Sequence, residues 1–559
     1  MGRVGSYPTF SPLLECIMDA FKRYISVALV LGSPPAGVTC YPCPMEPGLS
    51  SHKGFRHLRA AVQPGRWIIV LQSGRIVKCL ANSFISGYTI IAQTTGAERR
   101  SEVCMSNLIL DNFLKQWCDQ KIAVLGLGVS NRPLVRMLLE GGCCVTGCDR
   151  TPREKLEQEV LALEEMGCTL SVGEGYLDDL DADVVFRTPG MHPGIPALER
   201  LRAEGAQITS EMEVFFACCP CNIIAVTGSD GKTTTTTLIA KMLEAAGKKV
   251  WLGGNIGTPL LPQVRQMAAS DYAVVELSSF QLMDMTRSPA VAVVTNLAPN
   301  HLDVHKGMNE YVEAKKNIFR YQNEQGVLVL NADNPITNSF TGSGKTLRFS
   351  RKGRTEGAWV EDGAIFCSGR KVLEIKDILI PGVHNIENYM AAILAVQGLV
   401  DDETIRSVAR TFGGVEHRIE LVRIKDGVRF YNDSIASSPS RTIAGLRSFP
   451  EKVLLIAGGY DKHIPYDVLG PEICKHVKKL FVNGATADLI RRAVEASDEY
   501  TPGNPEIVDC VDFTAAVLAA AADAQEGDVV LMSPASAAFD QFKNFMVRGD
   551  YYKKLVMEL

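Results

Sequence analysis

From Lys121 to the C-terminus, short apolar runs of strand length alternate with stretches of helical period. KIAVLGLG, NRPLVRMLLEGG, CCVTGCDR, an acidic helical stretch and ADVVFRTPG form the first group. IIAVTGSDGKTTTTT then passes without a break into the helical LIAKMLEAAG, followed by VWLGGNIGTPLL, YAVVELSSFQL and AVAVVTNLAPNHLDVH. A helix over MNEYVEAKKNIF, the strand GVLVLNADNP, a β-rich patch from TLRFSRKG to KVLEIKDILIPG and the helix VHNIENYMAAILAVQGLV complete the second group. Past Arg418 the alternation restarts with VRFYNDSIASSPSRT, KVLLIAGGYDK, KKLFVNG, DLIRRAVEA and DVVLMSPASAAFDQFKNF. Alternation of this kind predicts parallel sheets with crossover helices, an α/β fold. We expect three domains, over residues 105–215, 216–414 and 415–559, with ligands at the carboxyl ends of the strands.

Residues 1–104 break the pattern. Pro and Gly recur in SPPAG, YPCPMEPG and QPGR, and RWIIVLQSGRIVKCL alone suggests a hairpin, turning at Ser73-Gly74. The segment carries eleven Lys/Arg against five acids, a charge of +6 in a chain of net charge −5, so the remainder stands at −11. Met105 opens an amphipathic lead-in, SNLILDNFLKQWCDQ. Residues 1–104 therefore read as an extension of unassigned role outside the catalytic fold, arising from an upstream start and with little to order it. Lys22-Arg23 before Ile25 to Leu31 only loosely mimics a signal peptide, and an ATP site downstream argues against export.

Composition adds limits. A 559-residue chain with 46% hydrophobic and 22% charged residues is a multidomain globular protein. Its small net charge gives no pull toward nucleic acid or anionic membrane, and no apolar run approaches the ~20 residues of a spanning helix. Sixteen cysteines, scattered and often inside apolar runs, read as reduced cytosolic thiols. Cys40 and Cys43 have metal-like spacing but lack a second pair, which argues against zinc.

The candidate chemistry starts at residues 223–237. A strand leads into Gly228, Ser229, Asp230, Gly231, Lys232, Thr233 and Thr234, and a helix follows at once. This arrangement aims backbone N–H groups and a positive helix end at phosphates, with Lys232 reaching the outer phosphates and the Thr233 hydroxyl holding Mg²⁺. It is a shortened G-x-x-G-K-T-T loop, with Val226 where the general pattern has glycine. Glu276 ends a neighbouring strand, where a carboxylate holds Mg²⁺ or its waters or else caps the next turn. His301 is a metal or phosphate candidate by position, the alternative being a solvated loop histidine. Lys315 reads as an ordinary helix charge. In the first group, Gly126 and Gly128 make a tight turn, Asn131 replaces the third glycine of the dinucleotide fingerprint, and Asp149-Arg150 closes the second strand.

TGSDGKTTTT, GGNIG, ELSSFQL, NHLDVH, YVEAKK, GVHNIEN, EHRIE, NDSIASSP, GGYDK and SPASAAFDQFKNF occur in that order. Over residues 119–559 they resemble the motifs of the Mur ligases, and GGNIG, ELSSFQL and the DQFKNF ending resemble the D-glutamate-adding branch. The resemblance implies a Rossmann-like UDP-binding domain, a central P-loop ATPase domain and a C-terminal Rossmann-like domain. It implies a cytoplasmic, monomeric peptidoglycan enzyme that joins D-glutamate to UDP-N-acetylmuramoyl-L-alanine, splitting ATP by way of an acyl phosphate. Carried over residue by residue, Gly228, Ser229, Asp230, Gly231, Lys232, Thr233 and Thr234 would cradle ATP, with Asn385, Arg418 and Asp433 beside it. Thr233, Glu276, His301 and Lys315 would hold two Mg²⁺ ions, Lys315 as a carbamate formed with CO₂, which replaces the plain reading of that lysine. Val129, Ser130, Asp149, Arg150, Gly190 and Asn255 would contact the UDP-precursor; Ser437, Lys462 and Phe545 would contact D-glutamate. Ile435 stands where many members have Lys, and Ala538 where a hydroxyl is usual. Another amino-acid ligase, such as a folylpolyglutamate synthetase-like enzyme, and a non-catalytic nucleotide-binding module are the alternatives. Gly413-Gly414, before His417-Arg418, is the expected hinge for closure.

Overall fold

The computed structural model describes residues 59–63, 66–70, 109–301 and 304–559. In the N-terminal segment, Arg59–Gln63 pairs antiparallel with Arg66–Val70. The expected strand RWIIV is present and pairs upstream with Arg59–Gln63, and the IVKCL stretch lies outside the described residues. Ser73-Gly74, Cys40, Cys43 and residues 22–31 lie outside the described residues.

Residues 106–559 form a separate unit. Its first sheet is parallel, in the order Thr169–Val172, Val145–Asp149, Ile122–Leu125, Val184–Phe186, Gln207–Thr209. Strand order reverses at Ile122–Leu125, so a crevice opens between the loops that follow it and Val184–Phe186. All four residues of Ile122–Leu125 are buried, as expected of a strand covered on both faces. The lead-in is a helix over 109–117 whose Leu110, Leu114 and Trp117 pack into this core.

The central sheet orders its strands Arg370–Glu374, Ala364–Cys367, Ala358–Glu361, Lys345–Ser350, Val327–Asn331, Val291–Val294, Asn222–Thr227, Tyr272–Glu276, Val250–Gly254. It is parallel from Val250–Gly254 through Ala358–Glu361, and the last two strands return antiparallel. The two-residue alternation of strand side chains is visible in Asn222–Thr227. Ile223 and Ala225 face one core layer, which runs on into the first domain; Ile224 and Val226 face the other, covered by the helices Lys232–Ala245, His384–Ala395 and Asp402–Thr411.

The third sheet runs Glu420–Lys425, Val428–Asn432, Val529–Met532, Val453–Gly458, Val477–Asn483, Glu506–Asp509, antiparallel only at its first pair. Among the described residues, no helix is long and apolar enough to cross a membrane.

The helix Glu211–Cys218 runs through the expected boundary at 215/216. Ser210 caps it by accepting the Glu213 N–H at 3.1 Å, and the Glu211 carboxylate accepts the Leu261 N–H at 2.8 Å. Burial pushes the Glu211 pKa up to about 7, against the backbone donors of Leu261 and Leu260. Its favourable share of stability is therefore complete below pH ~4.3 and is lost as pH rises through about 7. Glu211→Gln, which cannot ionise, should gain about 2.5 kcal/mol on the native chain between pH 5 and pH 8 in urea titrations.

Candidate active site

The phosphate-type loop is shaped by contacts that leave no room for side chains. Gly228 has φ 151°, and a Cβ there would lie 1.9 Å from Thr295 Oγ1; Gly231 has φ 76°, and its Cβ would lie 2.3 Å from Asn388 Oδ1. Both positions require glycine on conformational and steric grounds. The loop is held from the Val291–Val294 side. Ser229 N–H donates to the Asn296 carbonyl at 2.9 Å, Asp230 N–H to Asn296 Oδ1 at 3.0 Å, and Thr295 Oγ1 to the Asp230 carbonyl at 2.6 Å. Gly231 precedes the helix that begins at Lys232, so free N–H groups and the helix dipole point out over the loop.

Lys232 Nζ donates to the Ser229 carbonyl at 2.9 Å. Burial lowers its pKa, and Glu276 and Asp230 oppose that shift. Lys315, 1% exposed, comes from the helix Met308–Arg320 on the same side. Its Nζ donates to Thr227 Oγ1 at 3.0 Å and to the Gly228 carbonyl at 2.9 Å, and lies 4.9 Å from the centre of the Tyr311 ring. Burial first, and the Lys232 charge second, hold its pKa well below that of a free lysine. Helical period by itself reads Lys315 as a solvated helix charge; the fold makes it a buried amine at the phosphate loop.

Glu276, 1% exposed, ends the adjacent strand. Asn255 Nδ2 donates to its Oε1 at 2.8 Å, and Asn255 N–H donates to its carbonyl at 2.8 Å. Its other oxygen, Oε2, is buried with no hydrogen-bond partner. A buried carboxylate oxygen without a donor is costly unless a cation meets it, so the donor set here fits Mg²⁺. Gly254, at φ 96°, lets Asn255 approach: a Cβ would lie 2.2 Å from the Glu276 carbonyl. His301 is exposed, adopts a left-handed backbone (φ 54°) and lies against Phe280, ring centres 5.1 Å apart. His305 is the buried histidine of this loop, stacked on Phe280 and sharing a 2.9 Å hydrogen bond with Ser279 Oγ.

In the first domain, Val129, Ser130, Arg150 and Gly190 are exposed at the crevice. The two crevice loops touch, since a Cβ on Gly126 would lie 3.0 Å from Thr188 Cγ2. Asp149 braces the rim by accepting the N–H groups of Leu127 at 2.8 Å and Thr151 at 2.9 Å. Burial would raise its pKa, but these donors and Arg150 outweigh burial and hold it low. Asn131 does the work of the missing glycine: its Nδ2 donates to the carbonyls of Leu125 and Gly126 at 3.1 and 2.9 Å.

Thr234, His384, Asn385, Gly414, Val415 and Arg418 line one small cavity, so Arg418 of the third segment faces the loop helix. Asn385 donates to the Pro381 carbonyl at 2.5 Å and accepts from Asn388 at 2.9 Å. Asp433 is 3% exposed. Its carboxylate accepts Ser533 Oγ at 2.7 Å and the Ile419 N–H at 3.3 Å, and burial pushes its pKa up to about 7. It braces the connection in which His417 and Ile419 adopt left-handed φ values of 61° and 45°. Ser437, Lys462 and Phe545 follow the adjacent strands Val428–Asn432, Val453–Gly458 and Val529–Met532 and so share the carboxyl edge of that sheet. Beneath them lies Arg548, 2% exposed, which donates to Ser434 Oγ and to the carbonyls of Ser434, Ser536 and Ala537 at 3.0–3.1 Å.

Residues 226–396 match the Mur ligase middle domain, and residues 417–536 match the Mur ligase glutamate ligase domain. The chain is 53% identical over 460 residues, 80% of its length and 99% of the relative's, to a protein of Acetivibrio thermocellus named UDP-N-acetylmuramoylalanine–D-glutamate ligase. It is 50% identical to the relative of the same name from Ruminiclostridium cellulolyticum, over 80% of the chain and 99% of that protein. The chain belongs to the Mur ligase family. The solved UDP-N-acetylmuramate-alanine ligase of Thermotoga maritima shares this Mur ligase fold at TM-score 0.50 and 18% identity, covering 78% of this chain and 99% of that one.

Several residues of this Mur ligase site escape a reading of motifs. Asn388 sits three residues after Asn385 within GVHNIEN, on the same helix face, and that spacing was the available signal. Tyr311 opens YVEAKK four residues before Lys315, the same kind of signal, whereas Thr295 and Arg548 carry none. The space around Gly231 gives a test. Gly231→Ala should cut affinity for a non-hydrolysable ATP analogue at least about 100-fold by calorimetry with the fold kept. Gly190→Ala, with open space around its Cβ, should leave that affinity unchanged.

Proposed function

We propose that the chain is an ATP-dependent ligase that joins D-glutamate to UDP-N-acetylmuramoyl-L-alanine, giving ADP and phosphate, in cytoplasmic peptidoglycan precursor synthesis. The observation that carries this reading is the meeting of Lys232, Lys315 and the half-bonded Glu276 at one glycine loop. Relatives named for this reaction span the same residues.

Residues 105–215 would bind the UDP end through Val129, Ser130, Asp149, Arg150 and Gly190; residues 216–414 would bind ATP; residues 415–559 would bring the amino acid through Ser437, Lys462 and Phe545. The precursor carboxylate is a poor electrophile. Its oxygen attacks the γ-phosphorus of ATP, an O–P bond forms, the β–γ bridge breaks, and ADP leaves. The D-glutamate nitrogen then attacks the acyl carbon, the C–O bond to phosphate breaks, and the nitrogen loses a proton. Lys232 and the N–H groups of residues 228–234 would hold the phosphoryl oxygens as charge moves, and burial strengthens those contacts. Glu276, His301, Thr233 and Lys315 would hold Mg²⁺, which lowers the repulsion between the triphosphate and the incoming carboxylate.

Lys315 has a chemistry of its own. Burial lowers the pKa of this lysine and so favours its neutral amine, whose nitrogen would attack CO₂, form an N–C bond and shed one proton, so that a neutral group becomes an anion beside Glu276. Asn385 and Arg418 would flank ATP, with Asp433 holding the connection behind them. We take the chain to act as a monomer with no nucleic-acid or membrane partner; its small net charge gives no pull toward polyanions.

Phosphate release measured with the UDP-precursor and a panel of amino acids tests the substrate. D-glutamate should exceed L-glutamate, L-alanine and D-alanine by about 100-fold or more, and equal turnover with all of them would defeat the reading. Lys315→Ala should lose about 100-fold or more in kcat at any bicarbonate concentration; full activity would remove the carbamate.

A further inference from the structure

Arg187 is a fully buried cation that the chemistry above does not use. It follows the strand Val184–Phe186, its backbone N–H donates to the Thr209 carbonyl at 2.8 Å, and its side chain is 1% exposed. A guanidinium out of water is costly unless its donors are met and its charge is paired. Nε donates to Asp284 Oδ2 at 2.8 Å, and one terminal nitrogen donates to the Phe280 carbonyl at 2.9 Å. The other terminal nitrogen donates to the Met191 carbonyl at 2.5 Å and the Thr188 carbonyl at 3.2 Å, with the Pro189 carbonyl at 3.5 Å.

These acceptors belong to two places. Thr188, Pro189 and Met191 form the crevice loop that carries Gly190, whereas Phe280 and Asp284 belong to the central segment, in and just after the short helix Ser279–Leu282. That helix begins three residues after Glu276, with Ser278 and Gln281 capping each other. From there the hydrogen bonds run on into the site. Thr227 Oγ1 donates to the Leu277 carbonyl at 2.7 Å, and Lys315 Nζ donates to Thr227 Oγ1 at 3.0 Å. One planar side chain thus fastens the lip of the first domain's crevice to the backbone that carries Glu276. The two segments share a hydrophobic core layer, which is non-directional; Arg187 adds a directional contact at the crevice lip, and Arg's rigid fork suits a clamp in a way that Lys does not.

We propose that Arg187 is a positioning residue: it clamps residues 188–191 to residues 279–284, and so sets where the carboxyl end of the UDP-precursor lies relative to Glu276 and Lys315. This rests on the reading of that crevice as the precursor site. The clamp acts on one substrate of three. ATP lies on the glycine loop and D-glutamate on the third segment, and neither position depends on residues 188–191.

Steady-state kinetics of the full-length chain test this with Arg187→Met, Arg187→Lys and Asp284→Asn, varying precursor, ATP and D-glutamate in turn. KM for the precursor should rise about tenfold in Arg187→Met and about threefold in Asp284→Asn, with partial recovery in Arg187→Lys and the other two KM values within about twofold. Asp284→Asn keeps shape and partial exposure, so the proposal stays testable if Arg187→Met fails to fold. A precursor KM unchanged in Asp284→Asn and Arg187→Lys while their melting temperatures fall would overturn the clamp, as would an equal rise of all three KM values. Absence of wild-type turnover with the precursor would instead overturn the substrate reading, and this inference with it.

Discussion

Two lysines share one buried space at the phosphate loop, and the arrangement depends on how their charges are met. Lys232 and Lys315 repel each other, and burial penalises both, with Glu276 and Asp230 as the opposing charges. Two ammonium groups in a water-poor pocket are costly, so both pKa values are lowered and one of them further than the other. Lys315 is that one: it is 1% exposed, and its Nζ is held by two oxygen acceptors and the face of Tyr311. The other, Lys232, keeps the position from which a helix-start lysine reaches phosphate. Beside them, one oxygen of Glu276 is taken by Asn255 while the second is buried with no hydrogen-bond partner.

The glycines follow from the same crowding. Gly228, Gly231 and Gly254 each sit where a Cβ would enter a neighbouring side chain or carbonyl. They bring backbone close to Thr295, Asn388 and Glu276, so the phosphate cradle is built of main chain pressed against polar side chains. The third segment repeats the device with a different residue. Arg548 spans the loops after two adjacent strands and satisfies four acceptors, holding the edge where Ser437 and Phe545 lie. Arg187 does the corresponding work between the first and central segments.

Much of the architecture was legible before any coordinates. Strand-length apolar runs alternating with helical ones gave three parallel-rich α/β sheets, because a strand buried on both faces must be apolar throughout and its crossover helix amphipathic. In the N-terminal segment a run such as RWIIV states that it is a strand without stating that Arg59–Gln63 is a partner. The crevice loop was legible as far as Gly126 and Gly128, but the role of Asn131 was not. An asparagine that replaces a glycine reads as a defect until its side chain is seen bonding the turn it closes.

What the sequence determined by itself is local: which runs are strands, where the phosphate loop breaks into a helix, and which motifs stand in Mur ligase order. Each depends on neighbours within a few residues, where period, turn chemistry and helix capping act. The tertiary structure alone decided what is buried beside what. Lys315 is an ordinary helix lysine in sequence and a buried amine of lowered pKa in the fold, where residues 227–228, some 88 positions away, supply its acceptors. Arg187 and Asp284, 97 residues apart, could be paired in no other way. Desolvation and pairing depend on distance in space, and a linear chain does not record it.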